Sequence, residues 1–350
     1  MKYYYIKLKR YLLKTLFSFG VMQVKKNHQH IKWGVIGLGY MGETLSSTID
    51  FSVSGRVAAV ASRSKTKAIK FAKRHGNCKP FGSYESMILD DTLKLDVIYI
   101  CTPLETHRDL IEKCLMAGRN VICEKPITNN DSDLKYLAKL ASDQKCLLIE
   151  AMWMNCLPTF RKAVELVERG TIGQVQLVRA DLNKQEIYDS QHHLSAGGVL
   201  ANYGVYALSF ITSFLKGMPK EFSSAVRYSS SNVDTNWHIH ATRGEGVGII
   251  NLSSNFSASS KAIVAGDSGS IVWEAQFNRT NTITLYNEAG TEVEKFSYHY
   301  QFEGFEHMVD EVAHCVLNNM TESELMPLEN SISVARWMNM LLEKNKQVSS

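Results

Sequence analysis

The chain has 350 residues, 45% of them hydrophobic and 21% charged, which is enough apolar sequence for two globular domains. Its net charge of +4 is produced by residues 1–30, which hold seven basic and no acidic residues, so the other 320 residues carry a net charge of −3. A mildly acidic body excludes the basic surface that nucleic-acid-binding proteins need, and no nucleic-acid partner is expected.

The basic N-terminal extension, residues 1–30, is expected to lie outside the folded body. Its longest uncharged stretch, 15–24, is too short to span a bilayer. Lys14 interrupts the one candidate for the core of a signal peptide. We interpret the segment as a disordered tail or as sequence ahead of a start at Met22, with a weak membrane-surface helix as the alternative. No membrane span is expected.

The cysteines and histidines predict neither a disulfide framework nor a metal site. Seven cysteines include no C-x-x-C pair, and several lie in apolar, strand-like segments. This is typical of reduced, buried thiols and therefore of a cytoplasmic protein. His238 and His240 have a spacing that a metal could use, but no cysteine or carboxylate recurs nearby, so we interpret them as ordinary surface histidines.

Short apolar strands alternate with helices over residues 31–152. The strands are predicted at 33–37, 57–62, 96–101, 120–123 and 146–150. The helices are predicted at 41–52, 66–75, 110–117 and 131–144. Strands that are apolar throughout indicate a parallel sheet covered by helices on both faces. The pattern predicts an α/β fold that begins with a doubly wound Rossmann domain.

Longer segments with strand alternation follow over residues 153–350. After a helix at 159–169, strands are predicted at 175–182, 221–228, 238–242, 246–254, 261–265, 270–274 and 282–286. Two helices, at 305–317 and about 328–343, close the chain. The pattern predicts an α+β substrate-binding and dimerisation domain with a large, open, mostly antiparallel sheet, whose C-terminal helix can pack back on the Rossmann domain. An open sheet leaves one face to cover, so we expect a homodimer through it.

A glycine-rich loop stands directly after the first strand and opens the first helix, the context that identifies a dinucleotide site. Gly37 allows the tight turn, Gly39 lets a pyrophosphate approach, and Gly42 lets helix and strand pack. The helix N-terminus adds free N–H groups and a positive dipole end. The loop predicts NAD(P) binding rather than a turn without a ligand, through Gly37, Leu38, Gly39, Tyr40, Met41 and Gly42.

The end of the second strand predicts which dinucleotide is bound. An NAD site places an acidic residue there, but residues 51–84 contain none. Ser62 and Arg63 stand at that position, followed by Lys65 and Lys67. A guanidinium can bind a 2′-phosphate as a fork. We therefore predict that the protein binds NADP, with NAD possible. The alternative for these basic residues is that they simply form the solvated start of a helix.

Lys125 follows the strand at 120–123, within Cys123-Glu124-Lys125-Pro126. Ligands of doubly wound sheets bind beyond the carboxyl ends of the strands, so Lys125 is expected in the cleft rather than on the outer surface. Burial there can tune an amine for proton transfer.

With these motifs the chain resembles the glucose–fructose oxidoreductase / inositol dehydrogenase / MocA family, in particular its dimeric dihydrodiol dehydrogenase and NADP-xylose dehydrogenase branch. The resemblance covers about residues 31–345. Its motifs are Gly37–Gly42, Ser62-Arg63, Thr102-Pro103 with His107, Glu124-Lys125-Pro126, Glu150–Met154 with Pro158, Gly197–Tyr206 and Met326-Pro327-Leu328.

The resemblance implies a reversible hydride transfer between the cofactor and a hydroxyl carbon of a sugar, sugar derivative or cyclic diol. Lys125 would orient the substrate oxygen and Tyr206 would be the acid/base, its pKa of about 10 lowered by the Lys125 ammonium. Without the resemblance, Tyr206 would be interpreted as a packed aromatic residue. Asn202 would support Lys125 and Tyr206. Further cofactor contacts are implied at Thr102, Pro103, His107, Glu124, Lys125 and Trp153, and substrate contacts at Lys125, Trp153, His193 and Tyr206.

The sequence departs from the family pattern at three places. Asn202 stands where most active relatives have Asp, and an amide can hold a hydrogen bond but cannot carry charge. Asn155 and Cys156 replace the usual Arg and Phe. Residues 184–194 form a segment that is shorter than in close relatives and that carries His193. Two alternatives therefore stay open: a dehydrogenase for nucleotide- or carrier-linked sugars of surface polysaccharides, and a catalytically weak sugar sensor that binds cofactor.

Overall fold

A computed structural model of the chain describes residues 31–128, 130–185, 198–274 and 276–346. The predicted extension at 1–30 and His193 lie outside the described residues.

The first half of the fold is a six-stranded parallel sheet in the order β3-β2-β1-β4-β5-β6. Its strands are β1 (Ile31–Ile36), β2 (Gly55–Ala61), β3 (Lys79–Phe81), β4 (Val97–Ile100), β5 (Val121–Cys123) and β6 (Leu148–Glu150). Its helices are α1 (Tyr40–Phe51), α2 (Lys65–Ala72), α3 (Tyr84–Ile88), α4 (His107–Met116) and α5 (Asp131–Asp143). The predicted Rossmann fold is confirmed.

The strands and helices form where the sequence supplies local reasons for them. All four residues of β4 are buried, as expected for a strand covered on both faces. Ser64 caps α2 by accepting the Lys67 N–H, and Asn130 caps α5 in the same way. The sequence pattern misses β3 because this three-residue edge strand contains Pro80, which cannot donate to a ladder.

The second half is an eight-stranded sheet in the order β14-β13-β12-β11-β7-β10-β9-β8. Its strands are β7 (Val175–Asn183), β8 (Glu221–Tyr228), β9 (Asp234–Arg243), β10 (Gly246–Ser253), β11 (Ala262–Gly266), β12 (Gly269–Trp273), β13 (Thr282–Asn287) and β14 (Glu292–Ser297). Neighbouring strands are antiparallel except β7 and β10, which are parallel, so the predicted mostly antiparallel sheet is confirmed. The pattern misses β14 because five of its six residues are exposed and show no alternation.

Among the residues that the structure describes, four helices accompany this sheet: α6 (Pro158–Glu168), α7 (Val205–Phe214), α8 (Phe305–Leu317) and α9 (Leu328–Lys346). A cluster of aromatic rings joins α6 and α7 to the sheet, formed by Phe160, Phe210, Phe214, Trp273 and Phe277. The ring cluster covers one face of the sheet and fixes α7 against it.

The C-terminal helix α9 returns to the Rossmann domain. Leu328 and Ala335 are buried in the same apolar cluster as residues of α4 and α5. Trp337 of α9 is fully buried and lies near Phe222 of β8, with ring centroids 6.4 Å apart. The helix therefore packs on both domains and holds their relative position.

Within the described ranges, no helix combines the length and apolarity needed to cross a membrane. All seven cysteines are free thiols, and six of them are buried. The described part of the chain holds no cluster of three or more side chains suited to a metal ion, and His238 instead contacts Asn251 through Nδ1 at 2.9 Å.

Candidate active site

The glycine loop between β1 and α1 uses its three glycines for two different purposes. Gly37 has a left-handed φ of +98°, and a Cβ there would lie 2.5 Å from the Cys101 carbonyl oxygen. A Cβ on Gly42 would lie 2.3 Å from the Gly37 carbonyl oxygen. By contrast, a Cβ on Gly39 would meet nothing within 4 Å. The protein therefore needs Gly37 and Gly42 for its own packing, whereas the space beside Gly39 is open for a ligand.

The start of α1 offers backbone N–H groups to that space. Gly39 is the N-cap residue and has no side chain to occupy the first amides. Leu38 is buried, Met41 is partly buried, and Tyr40 is 67% exposed beside the loop. Unoccupied amides at a helix N-terminus, next to a glycine without neighbours, fit the pyrophosphate of a dinucleotide.

The basic turn after β2 is a preformed structure. The buried Ser62 accepts the Ser64 N–H at 3.2 Å, and Ser64 in turn accepts the Lys67 N–H at 3.3 Å. Arg63 and Lys67 are exposed. Lys65 is turned away, since its Nζ donates to the Pro80 carbonyl oxygen at 2.5 Å. All three bases at this turn are exposed, but the Lys65 ammonium is engaged by Pro80, which leaves the side chains of Arg63 and Lys67 beside the cofactor loop.

A hollow of about 420 Å³ lies between this turn and the glycine loop. Leu38 and Phe71 form its apolar part, and Ser64, Thr66, Lys67, Lys70 and Arg74 line the remainder. Lys70 stands three residues after Lys67 on the same face of α2, and Arg74 lies in the turn that follows the end of α2. Neither Lys70 nor Arg74 was predicted to bind the cofactor, although the three-residue spacing from Lys67 is a signal for Lys70.

His107 connects the loops that follow β4 and β5. Its ring nitrogens lie 2.8 Å from the Thr102 carbonyl oxygen and 3.1 Å from the Pro126 carbonyl oxygen. Burial lowers the pKa of His107, which favours the neutral ring with a single N–H donor. His107 is 2% exposed, so in this structure it supports the Thr102-Pro103 and Lys125-Pro126 segments from behind.

Lys125, Asn202 and Tyr206 come together at the carboxyl end of β5. The Lys125 ammonium donates to the Asn202 backbone oxygen at 2.8 Å and lies 3.4 Å from Asn202 Oδ1. It also lies 4.7 Å from the centroid of the Tyr206 ring. Asn202 belongs to a π-helical turn, Leu200–Gly204, that leads into α7, a feature common at functional sites. The three predicted catalytic residues are therefore neighbours.

The Tyr206 phenol is held by Trp153. Trp153 Nε1 donates to the Tyr206 hydroxyl oxygen at 2.9 Å, and the two rings are T-shaped with centroids 6.4 Å apart. Burial raises the pKa of Tyr206, and the charge of Glu124 raises it further, against the opposing effects of Trp153 and Arg279. The expected lowering by Lys125 is therefore wrong: the ammonium lies over the ring face, and desolvation has the larger effect.

Two carboxyl groups lie behind Lys125. The Tyr99 hydroxyl donates to Glu124 Oε1 at 2.5 Å, and the Ile127 N–H donates to Glu150 Oε1 at 2.9 Å. Burial raises the pKa of both glutamates. Glu124, predicted to contact cofactor, bonds Tyr99 in the structure. The anchoring role of Glu150 is not evident from the sequence.

Asn155 and Cys156, the two departures from the family pattern that follow Trp153, are both buried. Asn155 is 5% exposed, and its Oδ1 has no hydrogen-bond partner among the described residues. Cys156 is 1% exposed, and burial raises the pKa of its thiol. Neither residue supplies a positive charge, so the arginine common in this position is not replaced by another cation there.

The two halves of the chain match the models of two known domains. Residues 31–152 match the model of the oxidoreductase family with an NAD-binding Rossmann fold, and residues 160–272 match the GFO/IDH/MocA C-terminal domain. The trans-1,2-dihydrobenzene-1,2-diol dehydrogenase of Xenopus tropicalis is 27% identical over 324 residues, covering 89% of this chain and 97% of the relative. The human enzyme of that name is 28% identical over 247 residues, covering 69% of this chain and 73% of the relative.

Solved structures share the fold at lower identity. The aldose-aldose oxidoreductase of Caulobacter crescentus has a TM-score of 0.80 at 17% identity, covering 91% of this chain and 98% of that one. A 3-ketoreductase variant from Actinomadura kijaniata, crystallised with NADP and TDP-benzene, has a TM-score of 0.78 at 20% identity, covering 90% and 98%. The resemblance drawn from the motifs is confirmed: the chain belongs to the GFO/IDH/MocA family of oxidoreductases with an NAD-binding Rossmann domain.

Proposed function

We propose that the protein is an NADP-dependent oxidoreductase that transfers a hydride between nicotinamide and the hydroxyl-bearing carbon of a sugar, sugar derivative or cyclic diol. The observation that carries this proposal is the meeting of Lys125, Asn202 and Tyr206 at the carboxyl end of the sheet that bears the glycine loop. Relatives named for diol oxidation and a neighbour crystallised with NADP support it.

The roles follow from the geometry and the protonation states. Bound nicotinamide would supply or accept the hydride at the reacting carbon. Tyr206, whose raised pKa keeps it protonated, would donate a proton to a carbonyl oxygen during reduction and receive one during oxidation. Lys125 would orient the same oxygen, and Asn202 would hold the ammonium in place. Trp153 would fix the phenol through its N–H.

Asn202 does not remove the support for Lys125. The shorter of its two contacts, 2.8 Å, comes from the backbone carbonyl, which any residue at this position would provide. The side-chain contact is longer, at 3.4 Å. We therefore favour an active enzyme over a sugar sensor. Hydride transfer between NADP(H) and a panel of sugars and diols tests the choice, since cofactor binding without turnover would favour the sensor.

The 2′-phosphate would be bound by the exposed side chains of Arg63 and Lys67 beside the hollow on α2. We expect Arg63→Asp to weaken NADP binding by roughly 10- to 100-fold, because it replaces a charge-assisted hydrogen bond with repulsion. NAD affinity should stay the same or improve. Fluorescence titration with both cofactors measures this, with Arg56→Asp on the exposed side of β2 as the matched control. Unchanged NADP affinity in Arg63→Asp would contradict the assignment.

We propose that two copies pair through the open face of the eight-stranded sheet. Its central strands carry partly exposed apolar residues in register, with Leu177 beside Val247 and both Ile249 and Ile263 beside Arg179. Ile263→Asp should yield monomers in light scattering after size exclusion, because a charge there would be desolvated. Leu89→Asp, at a 69% exposed position of the Rossmann domain, should leave the dimer intact. A monomeric wild type would overturn the proposal.

We also propose a cytoplasmic location. The support is chemical: six of the seven free thiols are buried in the cores of the two domains, an arrangement suited to a reducing compartment.

A further inference from the structure

Arg279 is an exposed cation on a turn that is otherwise buried. The turn joins β12 to β13, and its neighbours Phe277, Asn278 and Thr280 are 1%, 6% and 8% exposed. The Arg279 side chain, in contrast, is 39% exposed. A long charged side chain that projects from a buried turn is not explained by the packing of the turn itself.

The backbone that carries Arg279 is held from several sides. Its N–H donates to the Gln276 carbonyl oxygen at 2.9 Å. The Thr280 carbonyl oxygen accepts from Thr159 Oγ1 and from the Tyr300 hydroxyl, both at 3.1 Å. The ring of Phe277 lies in the aromatic ring cluster, 5.2 Å from that of Phe210. The base of the side chain is therefore fixed before any ligand binds, which lowers the entropic cost of binding.

The guanidinium lies next to the proposed reaction centre. Its Cζ is 5.9 Å from the centroid of the Trp153 ring, within the range of a cation–π contact. Trp153 is the residue that holds the Tyr206 hydroxyl, and Lys125 lies over the Tyr206 ring. One cation therefore lies near each ring of this pair: Arg279 near Trp153 and Lys125 near Tyr206. The charge of Arg279 also acts on Tyr206, since it opposes the rise of the phenol pKa.

The guanidinium has hydrogen-bonding capacity to spare. Its ion-pair partner among the described residues is Glu303, at 3.6 Å, and the side chain of Glu303 is 44% exposed. No hydrogen bond to the Arg279 side chain is formed within the described ranges. An exposed pair at this distance contributes little to stability. A planar fork of N–H donors on a fixed turn, without a close acceptor, is suited to bind a carboxylate or phosphate in bidentate fashion.

We propose that Arg279 binds an anionic group of the substrate while the reacting carbon lies at Tyr206. The inference rests on the proposed function and narrows its substrate class to acidic sugar derivatives: sugar acids, sugar phosphates or nucleotide-linked sugars. Neutral sugars and diols would bind through Lys125, Trp153 and Tyr206 alone. Carboxylate and phosphate share the chemistry that Arg279 recognises, so the test compares both.

The preference for anionic over neutral sugars is measured by calorimetric titration of the NADP-saturated protein. The ligands are glucose, glucuronate and glucose 6-phosphate, and the corresponding galactose series. We expect at least one anionic form to bind about 10- to 100-fold more tightly than its neutral parent, as a hydrogen bond between charged groups allows. Arg279→Gln should abolish this preference, and Arg279→Lys, which keeps the charge but loses the fork, should retain part of it. Glu303→Gln should strengthen anion binding, because it removes the competing carboxylate.

Arg169→Gln provides a matched control, because this α6 arginine is 70% exposed and also pairs with one glutamate. It should leave every affinity unchanged. The inference fails if the wild type shows no anionic preference or binds none of the anions. It fails equally if Arg279→Gln weakens neutral and anionic ligands alike, which would indicate a structural role. A clear anionic preference without hydride transfer for any ligand would count against the proposed function but leave the role of Arg279 standing.

Discussion

Tyr206→Phe is expected to lower kcat by roughly 10²- to 10⁴-fold, the usual contribution of a general acid–base group. The substitution removes the hydroxyl that accepts the Trp153 N–H but keeps the ring over which Lys125 lies. Because the ring still fills its buried position, cofactor affinity should change little, whereas the free energy of unfolding should fall by about 1–3 kcal/mol, since the buried Trp153 N–H loses its acceptor. Steady-state kinetics in both directions, together with NADP titration, measure these effects.

The pH dependence distinguishes a proton donor from a structural tyrosine. Burial raises the pKa of Tyr206, so the phenol stays protonated through the neutral range. Reduction, which needs the protonated form, should therefore be flat with pH and decline only as the pH rises through the raised pKa. Oxidation, which needs the deprotonated form, should increase with pH over the same range. Both features of the profile should be absent from the residual activity of Tyr206→Phe.

Tyr203→Phe is the matched control, because Tyr203 is equally buried and lies one turn earlier on the same helical segment. Its kcat should stay close to that of the wild type. Lys125→Met should reduce kcat about as much as Tyr206→Phe, and the double variant should be no worse than either single variant, since both residues act on one oxygen. Near-normal turnover in Tyr206→Phe or Lys125→Met would overturn the assigned roles.

Gly39→Ala should weaken NADP binding at least about 10-fold, because the added methyl group would occupy the space that the pyrophosphate needs. The free energy of unfolding of the cofactor-free protein should fall by no more than about 1 kcal/mol, since a Cβ at Gly39 meets no protein atom within 4 Å and only the weaker N-cap preference of alanine opposes the change. Gly42→Ala should behave differently. Its Cβ would lie 2.3 Å from the Gly37 carbonyl oxygen, so we expect destabilisation of roughly 1–3 kcal/mol even without cofactor.

Denaturant unfolding of both cofactor-free variants, compared with cofactor titration of the same samples, separates the two effects. Gly290→Ala, at a left-handed φ of +73° with nothing within 4 Å of its Cβ, measures the cost of backbone strain alone, which Gly39 and Gly42 do not incur because neither has a left-handed φ. If Gly39→Ala binds NADP as well as the wild type does, the open space beside Gly39 is not the pyrophosphate site.

The sequence by itself determined the Rossmann fold, the glycine loop and the position of Lys125. These depend on local properties: the 2- and 3.6-residue periods of buried strands and helices, and the glycines that a tight turn demands. The same local properties miss β14, whose exposed residues carry no period, and cannot predict that β7 pairs parallel with β10 across about 70 residues of chain.

Only the tertiary structure decided the chemistry of the site. Trp153 and Tyr206 are 53 positions apart within residues 153–350, and Lys125 and Asn202, which are 77 apart, come from different domains, so both contacts depend on tertiary packing. The raised pKa of Tyr206 reverses the sequence-based expectation, because desolvation depends on everything that surrounds a group and not on one neighbouring charge. Arg279 reaches Trp153 from a turn whose sequence has no distinguishing motif. Local patterns specify backbone conformation, whereas burial and charge at a site are sums over residues that only the folded chain brings together.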